Sequence, residues 1–259
     1  MTVIKEPWEL ALMRQSGRKL AEVAAILRAA VRPGITTLDL DRMAEEETLR
    51  RGGIPSFKGY TVGGPPFPAT ICASPNEQVV HGIPNDRPLI DGDIISIDVG
   101  LVYGGYHADH AFTVAVGDVD ARVRLLLEVT ERSMYAGIAQ ARVGKTVGDI
   151  GHAVESTVKP HGFGIVEDYV GHGIGRKMHE RPSVPNYGKA GRGDPLKLGM
   201  CIAIEPMITL GSAKTKTLKD GWTVVTADKS LAAHFEHTVA ITLNGPEVLT
   251  RLEDSSPTS

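Results

Sequence analysis

The sequence predicts an α+β fold in which helices pack on one face of a curved antiparallel sheet. Three observations carry that reading. Amphipathic helical stretches come in pairs, strand-like stretches with tight turns follow each pair, and the paired unit occurs twice. Neither a linker nor low-complexity sequence divides the 259 residues, so one domain over 1–259 is expected. A hydrophobic content of 42% is enough for a substantial core.

Taken in order, residues 7–31 are apolar on one helical face, with Pro7 suited to a first turn and Pro33-Gly34 to a stop. A second helix runs from Leu38 to about Arg51 and ends at Gly52-Gly53. Residues 120–143 read as a third, long helix and 146–162 as a shorter fourth. Strand-like stretches cover 93–99, 106–116, 200–209, 222–226 and 234–243, separated by Gly, Pro and Asp turns. The final residues, 251–259, read as a loose tail.

The repeat is visible when the chain is shifted by 110 residues. Ala29/Ala139, Arg32/Arg142, Gly34/Gly144, Thr36/Thr146, Asp39/Asp149, Glu45/Glu155 and Gly52/Gly162 coincide. That is seven identities in 24 positions, where composition alone would give roughly one or two. Both copies keep a Thr followed three residues later by Asp, a capping-box-like helix start. An internal duplication, roughly 7–118 and 119–250, is therefore expected.

Composition narrows the function. A net charge of −3 and a sequence pI of about 6.3 give no electrostatic case for nucleic acid or anionic membrane as the main partner. No run of 18 apolar residues is present, so no membrane span is expected. The start "MTVIKEPWEL" lacks a basic-then-apolar signal pattern. Two cysteines, Cys72 and Cys201, make neither a disulfide framework nor a zinc knuckle. The expected location is the reducing cytoplasm.

The chemistry concentrates first in "IDVGLVYGGYHADHAFT" (97–113). With Gly104-Gly105 as a two-residue hairpin loop, Asp98 faces Ala111 and Asp109 faces Gly100. The two aspartates then share a face as diagonal neighbours, with Cα atoms roughly 7–8 Å apart. Two buried like charges repel, and one would protonate unless cations sit between them. On the same pairing His110 points away, as an outer or surface residue and not a further ligand. Elsewhere His172 lies between glycines in "YVGHGIGRKMHE", with His179 seven residues on. Glu205 and Glu236 lie inside apolar strands, where a lone Glu is unusual unless paired.

At these residues the chain resembles the methionine aminopeptidases of the short bacterial type I form, which have the pita-bread fold. The matching stretches, in order, are "NEQVVHGIP", "IDVG", "HAD", "VGHGIGRKMHE", "AIEPM", "DGWTVVTADKS" and "FEHTVAIT". The likeness covers nearly the whole chain and implies two pseudo-symmetric halves around a central sheet. It implies five metal ligands, Asp98, Asp109, His172, Glu205 and Glu236, holding two divalent ions. Asp109 and Glu236 would bridge, Asp98 would chelate one ion, and His172 with Glu205 would hold the other. Four carboxylates balance two dications, and a hydroxide bridging them would attack the first peptide bond of a chain that begins with Met. Oxygen and imidazole donors without thiolate favour Mn, Fe or Co, with Zn and Mg also accommodated.

The resemblance gives Glu205 a proton-handling role and gives His81 and His179 contacts to the scissile amide. Tyr60, Phe67, Cys72, Met178 and Trp222 fall at or near its methionine-pocket positions, with Cys72 as wall and not nucleophile. Asn76 and Ser230 lie near positions where relatives hold a monovalent cation. The sequence departs from the pattern at Met178, often aromatic, at Ala108 and His110, usually Gly and Thr, and in a longer loop between Tyr60 and Cys72. Lys214, Lys216 and Lys219 form a basic run read as a solvated loop, with transient ribosomal RNA contact as the second reading. Expected partners are N-terminal Met peptides and nascent chains, and the chain is expected to be a monomer with no stable nucleic-acid binding.

Two other readings compete. An Xaa-Pro peptidase shares the fold and the five ligands but usually carries a further N-terminal domain, for which a first helix at residue 7 leaves no room. A metal-free relative that binds RNA or a protein partner would lose ligands, whereas all five are present.

Overall fold

The computed structural model describes residues 2–252, so most of the tail expected at 251–259 lies outside the described residues. Four α-helices form where the pattern places them: α1 Pro7–Ala30, α2 Thr37–Arg50, α3 Ala121–Ala139 and α4 Val147–Val158. Thr36 and Thr146 each accept from the backbone N–H of Asp39 and Asp149, whose carboxylates reach back to the cap N–H. Both capping boxes expected from the repeat are therefore formed. Two helices end early. α3 stops at Ala139, where the Gln140 and Ala141 N–H groups tighten to carbonyls three residues back. α4 gives way to a 3₁₀ turn, Lys159–His161, because Pro160 has no N–H to continue the ladder, and left-handed Gly162 (φ 68°) ends it.

The helices cover one face of a nine-stranded sheet. Its spine is the hairpin Ile94–Tyr103 and Tyr106–Ala115. Tyr103 pairs with Tyr106, Asp98 with Ala111 and Gly100 with Asp109, the register expected from a Gly104-Gly105 loop. Both loop glycines have positive φ, 59° and 81°, as a twisted two-residue hairpin requires. Glu236–Thr242, Cys201–Ile204, Gly171–Gly173 and Glu180–Val184 continue the sheet in that spatial order. Ile97, Val99, Phe112 and Ile202 face the helices and pack with Leu20, Leu27 and Leu126 in the main core.

Two expected strands are broken, and the breaks matter. The stretch 200–209 splits into Cys201–Ile204 in the large sheet and Met207–Thr209 in a separate three-stranded sheet. Pro206 cannot donate to a ladder, so the chain changes sheet there. The stretch 234–243 starts earlier and splits at Phe235 into Ala232–His234 and Glu236–Thr242. The two chains cross between sheets together, since His237 pairs with Ile204 and His234 with Met207. Glu205 and Glu236 sit at that crossing. The strand at 222–226 shortens to Val224–Thr226, because the Asp220 carboxylate takes the N–H groups of Trp222 and Thr223 into a turn. Ile71–Pro75, Gly171–Gly173, Glu180–Val184 and Gly245–Val248 were not foreseen as strands. They are short or interrupted by Gly and Pro, which hides the period-two signal.

Candidate active site

Each acid at the centre is held by a different element. Asp98 and Asp109 project from the hairpin on the same face. Asp109 is fixed through its backbone: Thr238 Oγ1 accepts its N–H at 2.9 Å and donates to its carbonyl at 2.8 Å. Glu205 ends one crossing strand, its carbonyl held by Asn186 Nδ2 at 3.1 Å, and Glu236 opens the other. His172 sits on Gly171–Gly173, a strand clamped from both sides. A Cβ at Gly171 would lie 2.3 Å from the Ala203 carbonyl, and one at Gly173 would lie 2.3 Å from that of Arg181. Only glycine permits this approach, which explains the glycines flanking the histidine.

The imidazole of His172 is set by Nδ1, which contacts the Gly173 carbonyl at 2.9 Å. A carbonyl only accepts, so Nδ1 carries the proton and Nε2 presents a lone pair. That lone pair faces Glu205 Oε1 at 3.5 Å and Asp109 Oδ2 at 3.8 Å. Donor atoms of Asp109, His172 and Glu236 all lie within 4.8 Å of one another. Asp98 Oδ1, Glu205 Oε1 and Glu236 Oε1 are sealed from solvent and have no hydrogen-bond partner among the described residues. Buried lone pairs that meet only lone pairs of neighbouring side chains call for a cation.

The electrostatics agree. Burial pushes Asp98 up to about 7. Burial, with Glu236 and Asp98 beside it, drives Asp109 well above the usual carboxylate range. Glu205 and Glu236 move the same way for the same first cause, then through neighbouring carboxylates. Burial depresses His81 to about 4 and His172 to about 3, so both are neutral near pH 7. Such strained ionisation marks a functional site.

The acids floor a cavity of about 410 Å³. Tyr60, Phe67, Cys72, Met178 and Trp222 line it, as do His81 and His179. Phe67 and Trp222 meet edge to face with centroids 5.3 Å apart, and Trp222 Nε1 donates to the Pro65 carbonyl at 3.0 Å. Cys72 pairs across the ladder with Asp98. Burial and those carboxylates push its thiol well above its ordinary value, which suits a wall and not a nucleophile. The Tyr60 hydroxyl lies 2.6 Å from His179 Nδ1. His81 adopts a left-handed backbone (φ 59°), uncommon for a residue with a side chain, and Gly82 beside it is locked to the strand Ile71–Pro75.

Residues 11–243 match the model of metallopeptidase family M24. The chain belongs to metallopeptidase family M24. It is 49% identical over 253 residues to the methionine aminopeptidase of Clostridium perfringens, covering 98% of this chain and 100% of that one. It is 48% identical over 252 residues to methionine aminopeptidase 1 of Bacillus subtilis, covering 97% and 100%. Among solved structures, the methionine aminopeptidase of Rickettsia prowazekii superposes with a TM-score of 0.93 at 41% identity, covering 96% of this chain and 100% of that one. The prolidase of Pyrococcus furiosus shares the fold, with a TM-score of 0.76 at 22% identity over 97% of this chain and 66% of its own. The pita-bread α+β fold is thus established, and M24 membership implies a divalent metal, for which the donor set described above fits.

Within this M24 site, all twelve residues singled out from the sequence line one cavity. Of the two places expected for His110, outside the acids or at the surface, the structure keeps the first. The residue lies on the face opposite Asp109's carboxylate and is buried, not at the surface. Its Nδ1 contacts the Glu236 carbonyl at 2.5 Å and its ring stacks on His237 with centroids 4.6 Å apart. That face of the hairpin carries Ile97, Val99 and Phe112 and is covered by α1 and α3, so a residue pointing away from the acids is buried there. Asn76 and Ser230 lie apart from the cavity. The Asn76 carbonyl accepts from Ala232 N–H at 2.9 Å and Ser230 Oγ donates to Asp228 at 2.7 Å. Phe57, Val80, Tyr169, Met207 and His234 also line the cavity and were not foreseen. His234 is separated from Glu236 only by Phe235, and a lone histidine in a strand carries no signal of its own.

Proposed function

We propose that this chain is a methionine aminopeptidase, which removes the N-terminal Met from peptides and nascent proteins with a small second residue. The observation that carries the reading is a single cavity that joins a carboxylate-rich donor set to a soft, aromatic slot. Asp98, Asp109, His172, Glu205 and Glu236 would hold two divalent ions. Bound there, such ions polarise a carbonyl and make water acidic enough to supply a nucleophile near neutral pH.

The chain's own groups do the rest. Phe67, Cys72, Met178 and Trp222 receive the thioether, where a polarizable sulfur gains from aromatic edges. His81, neutral at working pH, offers a hydrogen bond to the scissile amide. His179, turned by the Tyr60 hydroxyl, offers a second to the oxygen on which charge develops. Glu205 takes a proton from water and returns it to the leaving amine. Burial excludes bulk water and strengthens each of these contacts.

The enzyme would act as a monomer in the cytoplasm, where buried Cys72 and Cys201 stay reduced. Manganese or iron suits the donor set, and cobalt, zinc or magnesium could substitute. A monovalent cation beside Asn76 and Ser230 would brace the loop between them. Lys214, Lys216 and Lys219 are exposed and would serve solubility, with transient ribosomal RNA contact during work on nascent chains.

The test is a peptide panel assayed after chelation and re-addition of single metals. Met-Ala-Ser should be cleaved and Ala-Pro left intact. Cleavage of Ala-Pro alone would favour the prolidase-like reading, and no metal-dependent cleavage of either peptide would sink both enzyme readings.

A further inference from the structure

We infer that His234 is a positioning residue for Glu205, its Nε2–H directed at Glu205 Oε2 so that Oε1 is left free for the metal site. The inference rests on the metallopeptidase reading above and deepens it.

The backbone of His234 is rigidly placed. Its N–H donates to Thr113 Oγ1 at 2.8 Å, and that hydroxyl lies 2.8 Å from the His234 carbonyl. Thr113 is itself tied to Ser96 at 2.8 Å, so the central hairpin anchors this strand. His234 pairs with Met207, two residues beyond Glu205, at the point where both chains change sheet.

The imidazole is 2% exposed, and its ring lines the cavity. Nε2 is sealed from solvent and has no hydrogen-bond partner among the described residues. The group it approaches is Glu205 Oε2, 3.8 Å away. The other oxygen of that carboxylate, Oε1, is likewise unpartnered and lies 3.5 Å from His172 Nε2. Glu205 is thus bracketed by two imidazoles, one for each oxygen.

The two rings differ in what fixes their protons. The Gly173 carbonyl holds the His172 proton on Nδ1, which turns a lone pair toward Oε1. Among the described residues His234 Nδ1 makes no hydrogen bond to a carbonyl, so no protein acceptor fixes its proton there. Against an ionised Glu205, the form a bound cation requires, the tautomer with the proton on Nε2 faces an acceptor, and the other sets lone pair against lone pair. At 3.8 Å the two atoms stand just beyond hydrogen-bond length, and the inferred contact is formed when they close to about 3 Å. One imidazole then acts as donor and the other as ligand, and the carboxylate is left with a single orientation. Ligating carboxylates are commonly oriented by such outer contacts.

The experiment titrates apoprotein with Mn²⁺ by calorimetry for wild type, His234→Leu and His234→Gln, with circular dichroism to confirm folding. Loss of an outer partner typically costs about 10–100-fold in metal affinity. The Leu variant should lose Mn²⁺ affinity within that range, and the Gln variant, which keeps an N–H donor, should recover most of it. Unchanged affinity in the Leu variant, or equal loss in both folded variants, would overturn the inference. If the Leu variant fails to fold, long-range ¹H–¹⁵N spectra of wild type decide. A proton on Nε2 supports the assignment and a proton on Nδ1 rejects it. Wild-type protein that binds no Mn²⁺ would count against the metallopeptidase reading instead, while the tautomer would still decide the role of His234.

Discussion

Asp109 illustrates how much a single carboxylate carries here. It is 4% exposed, and its nearest charged neighbours, Glu236 and Asp98, have its own sign. Such a residue is tolerable in its ionised form only with cations among the acids. Asp109→Ala or Glu236→Ala should therefore abolish bound metal and lower turnover by well over about a hundredfold, beyond what the loss of an outer partner causes. Metal content by atomic absorption and kcat/KM on Met-Ala-Ser would check both, and wild-type turnover in either variant would remove it from the ligand set. His81 has a different signature. It lines the same cavity, but among the described residues its ring faces Tyr169 and Trp222 and not the acids. His81→Ala should bind Mn²⁺ normally and turn over about 10²–10⁴-fold more slowly. An unchanged rate would take it out of the catalytic set. The sequence exposed these residues because a carboxylate inside an apolar strand is a conflict that needs a reason. His234 and Tyr169 raise no conflict in the sequence, and only the fold brings them to the cavity wall.

At the scale of elements, the helices were legible because local chemistry decides them. Thr36 and Thr146 cap where the motif "Thr-x-x-Asp" places them, and their helices start at the next residue. Thr146→Ala should cost about 1 kcal/mol of unfolding free energy, read from urea denaturation, with activity in the surviving folded protein unchanged. The strands were less legible because several are set by tertiary partners. Gly171–Gly173 has no β-forming side chain except His172, and it is a strand only because neighbours close on it from both sides. Gly173→Ala tests that clamp. Its Cβ would press on the Arg181 carbonyl, costing about 1–3 kcal/mol and displacing His172. Thermal stability and Mn²⁺ affinity should fall together. If stability alone falls, the clamp supports the sheet but does not aim the ligand. The breaks at Pro206 and Phe235 follow the same logic. A proline was visible in the sequence, but the partner strand that bends with it was not.

Across the whole molecule, the proposed metal ligands come from both halves of the chain: Asp98 and Asp109 from one, His172, Glu205 and Glu236 from the other. We read the halves as an ancient duplication, with the centre formed where they meet. Global stability should then depend on how the acids are balanced, and pH is the means of showing it. The acids and histidines pull in opposite directions. A carboxyl with a raised folded pKa binds a proton longer in the folded state than in the unfolded one, so its contribution is lost as pH rises from the unfolded value toward the folded one. For Asp98 that window runs from about 4 to about 7, and Asp109, Glu205 and Glu236 extend it upward. A buried histidine with a depressed pKa does the reverse. His81, near 4, and His172, near 3, favour folding as pH rises, but only until the unfolded value of 6.5 is passed. Above about pH 6.5 the histidines drop out, and the buried carboxyls, joined toward pH ~8.5 by the raised thiols of Cys72 and Cys201, lower stability together. Chelated protein should therefore melt at a lower temperature at pH ~8.5 than at pH ~6.5. Saturating Mn²⁺ should reverse the trend, because cations favour the ionised acids, and binding at a hundred times Kd adds about 2.7 kcal/mol. Melting curves by circular dichroism, with and without chelator, would measure this. Chelated protein that is as stable or more stable at the higher pH would mean that the buried acids find their balance without metal, and the account of the site built on their mutual conflict would fail.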